Sequence, residues 1–259
     1  SYAHGEKELE VTKKALENFQ ITGRTCSLQL IKNIAVVKIA CGYANEKTKN
    51  LPENINKAIT QAGQEILEGR FDNQFPLDEI QGGAGTSINM NVNEVIATRA
   101  TMLLHKKTTV HPIDHVNMAQ STNDVVPTAM KITTLQLIDT LIETYQTYHK
   151  EMQKKAKEFE DILKVSRTHM QDAVPVTLGQ EFAAHASMIN RDMKRLHAIK
   201  KELYTVNIGG TAIGTGLTAS QTYIKQALYK LCEITGYNIV GASNLIDSTQ
   251  YPDVFIEVS

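Results

Sequence analysis

The sequence predicts an all-α protein: a small N-terminal helical domain followed by long antiparallel helices that pack as a bundle. Three observations lead there. Between Pro127 and Pro175 there is neither proline nor glycine, which is what an unbroken helix requires. Apolar residues in that interval fall at Met130, Leu135, Ile138, Leu141, Ile142 and Tyr145, spacings of three and four that share one helical face. Strand signals are nearly absent, since no segment alternates strictly over more than a few residues.

The elements follow in order. Shorter helices fit residues 27–46, 51–68 and 89–105. A long helix over residues 128–163 would extend about 54 Å at 1.5 Å per residue. A second long helix over residues 177–204 opens on Thr177-Leu-Gly-Gln180, a match to the S/T-x-x-E/Q capping box. It continues through Leu178, Phe182, Ile189, Met193, Leu196, Ile199 and Leu203. A shorter helix fits residues 220–235. The domain boundary falls where the small helices give way to the long ones, dividing residues 1–122 from a bundle domain at 123–259. A lone pair of helices of this length cannot cover its own apolar stripes, so assembly through the bundle is expected.

Composition excludes several function classes. The 259 residues are 42% hydrophobic, enough for a real core. Its 27 basic and 28 acidic residues nearly cancel, leaving no basic footprint for nucleic acid and no polybasic patch for a membrane surface. No run approaches the roughly 18 consecutive apolar residues of a membrane span. Residues 1–10 are polar and carry acids, unlike a signal or transit peptide. Cys26, Cys41 and Cys232 show no CxxC spacing, so they read as reduced thiols rather than a disulfide framework or zinc site. The expectation is a cytoplasmic protein with no metal and no cofactor.

Three segments are dense in small hydroxyl, amide and glycine residues, and each stands before a predicted helix. They are Gly82-Gly-Ala-Gly-Thr86-Ser87, Gln120-Ser121-Thr122-Asn123-Asp124, and Ser166-Arg167-Thr168-His169-Met170-Gln171-Asp172. Pro127 follows the second as a first-turn proline. Free N–H groups at helix N-termini, with Ser, Thr and Asn side chains, make a site for carboxylates. Such residues also cap helices everywhere, so one segment alone says little. Asn89, Asn91 and Asn93 read as a buried amide network rather than a ligand set. The glycines at 209, 210, 214 and 216 match neither G-x-G-x-x-G nor G-x-x-x-x-G-K-[ST], which argues against nucleotide binding. His149, His185 and His197 lie in the long helical runs. His169 differs, lying among Arg167, Thr168 and Asp172, and is a candidate acid/base or substrate contact.

Four stretches, in order, resemble the aspartase/fumarase superfamily: Gly-Ala-Gly-Thr-Ser-Ile-Asn-Met-Asn-Val-Asn-Glu (83–94), His-Pro-Ile-Asp-His-Val-Asn-Met-Ala-Gln-Ser-Thr-Asn-Asp (111–124), Arg-Thr-His-Met-Gln-Asp-Ala-Val-Pro-Val-Thr-Leu-Gly-Gln-Glu-Phe (167–182) and Gly-Gly-Thr-Ala-Ile-Gly-Thr-Gly-Leu (209–217). Within the superfamily these motifs look like those of aspartases. Fumarases typically show Ser for Ala84, Gln for Ser87 and Ser for Thr122, and fumarase is the alternative. The resemblance implies a homotetramer whose long helices form a central bundle, with each active site built from three subunits. It implies reversible elimination of ammonia from L-aspartate to give fumarate, through an aci-carboxylate intermediate. By the same resemblance, Thr86, Ser121, Thr122 and Asn123 are substrate contacts, and Thr168 and His169 are substrate contacts and the catalytic candidates. Ser87 and Gln171 are weaker candidates.

Several departures stand out. Val11 runs straight into Thr12, where the family carries a glycine-rich stretch with aromatic residues, and Lys14 takes an arginine position. The turn between Lys107 and Thr108 is a few residues short. Ile113 and Thr218 replace usual asparagines. The family's Gly-Ser-Ser-x-Met-x-x-Lys-x-Asn loop, which carries the serine base, is not among the 259 residues. These residues alone are therefore expected not to catalyse elimination. A non-catalytic helical scaffold that keeps the lyase fold, as in some lens crystallins, is the reading from a different class.

Overall fold

The computed structural model describes residues 10–259, so the expectation drawn from the polar start of the chain falls almost wholly outside the described residues. Long, mostly helical elements dominate. They form two compact units: residues 10–133 with 204–253, and residues 134–203 with 254–259.

In the first unit, α1 (Glu10–Asn18), α2 (Leu28–Lys47), α3 (Glu53–Leu67) and α4 (Thr86–Leu103) precede α5 (Thr122–Glu158), whose opening turns belong here. Helix α7 (Gln221–Thr235) returns to the same core. Helix α2 is buried along nearly its whole length, from Ile31 to Asn45, because α3 and α7 pack against it on different sides. Its sequence is accordingly apolar all round, with Ile34, Ala35, Val37, Ala40 and Cys41 fully covered. Helix α1 is anchored by Glu94 of α4, whose carboxylate accepts the Val11 N–H at 2.9 Å and the Thr12 hydroxyl at 2.6 Å. An acid at a helix N-terminus satisfies open N–H groups there.

The second unit contains the rest of α5, a two-stranded hairpin of β1 (Leu163–Thr168) and β2 (Gln171–Thr177), α6 (Leu178–Leu203) and the short α8 (Val254–Val258). Within it α5 and α6 run antiparallel. Gly179, at the start of α6, lies so close to α5 that an added Cβ would stand 2.3 Å from the Ala156 carbonyl. Lys200, near the end of α6, pairs with Asp139 far back along α5. The capping box at Thr177 forms as the sequence indicates: the Thr177 N–H donates to Gln180 Oε1 at 3.0 Å and the Gln180 N–H to Thr177 Oγ1 at 3.1 Å. An 18-residue window of α5 reaches a mean hydropathy of 1.2, but half of it is buried inside the protein, as in any core helix.

A short hairpin that the sequence did not signal forms at residues 163–177. Helix α5 ends at Glu158, and the chain then folds into the antiparallel hairpin, with Leu163 opposite Thr177 and Thr168 opposite Gln171. Segment 166–172 is thus a strand turn, not the approach to a helix. Alternation here covers only Leu163/Val165 and Val174/Val176, too short to register, while Pro175 forbids a continuing helix. Ser166 bridges the irregular register: its hydroxyl donates to the Val174 carbonyl and accepts the Val174 N–H at 3.3 Å. The two turn residues, His169 and Met170, both have positive φ, 50° and 61°. That is the backbone of a type I′ turn, normally filled by Asn-Gly. A side chain in the left-handed region costs about 1–2 kcal/mol. Met170 is 93% exposed, so Met170→Gly removes this strain and loses little packing. It is expected to raise stability by about 1 kcal/mol in chemical denaturation, and an unchanged or lower midpoint would refute the strained turn.

Candidate functional site

The second polar segment builds the N-terminus of α5. Ser121 is its cap: Ser121 Oγ accepts the Asn123 N–H at 3.2 Å, while Asp124 Oδ1 reaches back to the Ser121 N–H at 2.9 Å. This is a capping box with Asp in the acid position. The helix therefore begins at Thr122, six residues before the expected start, and Pro127 lies inside it rather than in its first turn. A proline has no N–H for the carbonyl one turn back. That carbonyl, of Asn123, is taken instead by Asn207 Nδ2 at 2.8 Å.

Asp124 ties this helix end to the glycine-rich segment after α6. Its Oδ2 accepts the N–H groups of Gly209 at 3.2 Å and Thr211 at 3.1 Å. Asn123 adds a bond from Nδ2 to the Ala212 carbonyl at 2.6 Å. The glycines serve close approach: a Cβ on Gly209 would stand 2.3 Å from Ile224, and one on Gly214 2.4 Å from the Ile246 backbone. Asp124 is fully buried. Burial pushes its carboxyl up, and the three backbone donors and Lys38 pull it back down.

The first polar segment lies beside the second. Gly83, Ala84 and Gly85 all have positive φ, turning the chain into α4, where the Thr86 hydroxyl donates to the Gly83 carbonyl at 2.7 Å. A Cβ on Gly85 would stand 3.1 Å from Val126 of α5. One turn into α4, Asn89 Nδ2 lies 3.3 Å from Thr122 Oγ1 and 3.2 Å from Asn117 Oδ1. Asn93 Nδ2 reaches the same Asn117 oxygen at 3.2 Å, and Asn91 Nδ2 bonds the Gln74 carbonyl. These asparagines are buried, the amide network that their spacing suggested.

Beneath this network lies Lys38, fully buried in α2. Its ammonium donates to Asn117 Oδ1 at 2.7 Å and Gln120 Oε1 at 3.0 Å. Burial lowers it to about 7, although Cys41 and Asp124 oppose that shift. The neighbouring Cys41 thiol is pushed up to about 12, and Tyr223 is also raised, both chiefly by burial.

Ser121, Thr122 and Asn123 are therefore gathered with Thr86, and sequence reasoning missed what holds them: Lys38, Asn117, Asp124 and Asn207. The signal for Lys38 was present, as a lone lysine in the apolar run Ile34-Ala-Val-Val-Lys38-Ile-Ala-Cys41. The spent and unspent donors differ. The Thr86 hydroxyl donates to the Gly83 carbonyl, Ser121 Oγ accepts the Asn123 N–H, and Asn123 Nδ2 gives one hydrogen to the Ala212 carbonyl. Thr122 keeps both its N–H and its hydroxyl proton without an acceptor among the described residues, and the Ser87 N–H is likewise open. Open N–H groups at two helix N-termini suit an anion.

Thr168 and His169 belong to the second unit, at the exposed turn of the hairpin. Arg167 there pairs with Asp172 at 3.2 Å, and Gln171 faces Thr168 across the ladder.

A model of the lyase family matches residues 9–259. The chain belongs to the lyase family. This lyase chain is 49% identical over 266 aligned positions to an aspartate ammonia-lyase of Bacillus subtilis (strain 168), covering 98% of the chain and 56% of the relative. It is 40% identical to the aspartate ammonia-lyase of Escherichia coli (strain K12), covering 95% of the chain and 53% of that protein. Among solved structures, a cobalt-bound fumarate lyase:delta crystallin from Brucella melitensis superposes with a TM-score of 0.90 at 41% identity, covering 95% of the chain and 55% of that structure. A recombinant class II fumarase from Schistosoma mansoni gives 0.89 at 31% identity, with 96% and 56% covered. The lyase chain thus spans about half the length of the relatives it matches.

Proposed function

We propose that the full-length protein carrying this chain is an aspartate ammonia-lyase, converting L-aspartate reversibly to fumarate and ammonia. The observation that carries the reading is the N-terminus of α5, where Thr122 offers an N–H and a hydroxyl proton without acceptors among the described residues, flanked by Ser121 and Asn123. A carboxylate only accepts, and a helix N-terminus favours negative charge. The aspartate ammonia-lyase relatives, at 40% to 49% identity, support the amino-acid substrate.

The reaction needs that arrangement of donors. A base removes a proton from Cβ, and the electron pair flows into the adjacent carboxylate to give the aci-carboxylate. Collapse of this intermediate forms the carbon–carbon double bond and breaks the Cα–N bond, so ammonia leaves as fumarate forms. Negative charge grows on the carboxylate as the proton departs, and donors fixed beforehand stabilise it most when the charge is largest. Thr86, Ser121, Thr122 and Asn123 serve as carboxylate contacts from one part of the assembly. Thr168 and His169 serve from another copy of the chain, in a homotetramer joined through α5 and α6. Exposed Leu137, Leu141 and Tyr148 on α5 and Met188 on α6 support such packing. A domain of residues 1–122 followed by a bundle domain from residue 123, and a cytoplasmic location, are part of the same proposal.

The test is to supply the full-length protein with L-aspartate or L-malate and follow the ultraviolet absorbance of fumarate, with ammonia measured in parallel. Fumarate and ammonia in equal amounts from L-aspartate is the expected result. Fumarate from L-malate alone would make it a fumarase, and none from either substrate a scaffold.

A further inference from the structure

Thr122 can help an anionic substrate only if its hydroxyl donates, and the buried amides beneath it decide whether it does. The polarity of that network follows from atoms whose roles are fixed. The Gln120 backbone carbonyl can only accept, so the Asn117 amide turns Nδ2 toward it at 3.2 Å. Asn117 Oδ1 then faces Lys38 Nζ at 2.7 Å and the amides of Asn89 and Asn93, each at 3.2 Å. Gln120 is fixed in the same way, its Nε2 held by the Val116 and Met118 carbonyls at 3.0 Å and its Oε1 left for Lys38. With an acceptor oxygen opposite it, Asn89 must present Nδ2. The second hydrogen of that nitrogen is directed at Thr122 Oγ1, 3.3 Å away. Thr122 therefore receives a hydrogen bond from the protein interior, and its own proton has no acceptor among the described residues.

We propose that Asn89 is a positioning residue that fixes the hydrogen-bond polarity of Thr122, so that the Thr122 hydroxyl proton is held for a substrate carboxylate. The inference rests on the reading of Thr122 as a substrate contact. Two further features agree with it. Asn89 is 1% exposed and its Oδ1 has no hydrogen-bond partner, so the amide is committed to donating at the expense of its own acceptor. Were Asn89 reversed, its oxygen would take the Thr122 proton, and the substrate carboxylate would meet lone pairs instead of a donor. Lys38 and Asn117 lock the amide against that reversal.

The experiment is a double-mutant cycle in the full-length protein, using Asn89→Ala, Thr122→Val and the pair. It reads KM for L-aspartate, the inhibition constant of succinate, kcat and the thermal midpoint. Thr122→Val is expected to raise KM and the succinate constant by about 10-fold or more, the effect of losing a hydrogen bond to a charged group. Asn89→Ala is expected to raise both by about 10-fold and to lower kcat as well, because the contact strengthens as negative charge grows on the carboxylate. The pair should be no worse in KM than Thr122→Val alone, since Asn89 acts only through that hydroxyl. Multiplied penalties in the pair, or an unchanged KM in Asn89→Ala, would overturn the role of Asn89 while leaving the lyase reading intact. An unchanged KM in Thr122→Val, with L-aspartate still turned over, would overturn the substrate contact at Thr122 and the inference with it. No turnover of L-aspartate by the unsubstituted protein would overturn the function itself. Should Asn89→Ala not yield folded protein, Asn89→Ser keeps a polar group in the buried position and carries the same comparison.

Discussion

Asp124→Ala is expected to lower folding stability by about 3–5 kcal/mol, the cost of leaving several buried hydrogen-bond donors without their acceptor. The carboxylate is fully buried and holds three backbone N–H groups from two separate segments, Ser121, Gly209 and Thr211. Without it these donors lose their acceptor in an interior where each unmade hydrogen bond costs about 1–3 kcal/mol. Thr211 suffers further, because its φ of 55° is an unfavourable conformation held by that bond. Lys38 loses the nearby negative charge that opposes its desolvation. Asp124→Asn keeps the shape but turns one acceptor into a donor facing N–H groups, so it should also destabilise. Urea denaturation measures both. A loss below about 1 kcal/mol in Asp124→Ala would mean that the segments are held by packing, and that the carboxylate is incidental.

How far the sequence revealed this arrangement depended on the distance over which each feature is decided. Helix α6 was legible to within a residue or two because its start is a local contract between Thr177 and Gln180, and its apolar spacing is regular. The start of α5 was misplaced because Pro127 suggested a first turn, whereas the carbonyl it leaves open is satisfied by Asn207, 84 residues away. The hairpin at 163–177 escaped notice since its turn carries His-Met where a positive-φ turn normally shows asparagine and glycine. At the site, the contacts implied by resemblance lay in short polar segments that are easy to see. Their supports are non-local: Lys38 meets Asn117 and Gln120 across 79 and 82 residues. A buried lysine reads in sequence as one polar letter in an apolar run, and only packing reveals its partners.

The largest effect on turnover is expected at the hairpin. In the full-length protein Thr168→Ala and His169→Ala should each reduce kcat/KM for L-aspartate by about 10²–10³, the typical cost of one donor to a developing anion. Helical content should not change, because both residues are exposed at a turn and bond to no helix among the described residues. Near-normal kinetics in both would return Thr168 and His169 to a structural role.

In the proposed enzyme the N-terminus of α5 and the hairpin turn serve one site contributed by different copies of the chain. This sharing is tested most directly by unfolding Thr122→Val and His169→Ala proteins together, refolding them as a mixture and measuring fumarate formation. Each parent carries one defective contribution. Random assortment of two kinds of chain over two positions leaves about one site in four with both contributions intact. A site shared between copies predicts that the mixture recovers activity well above either parent refolded alone. A mixture no more active than its parents would contradict it, since Thr122 and His169 would then act within the same chain or in no common site.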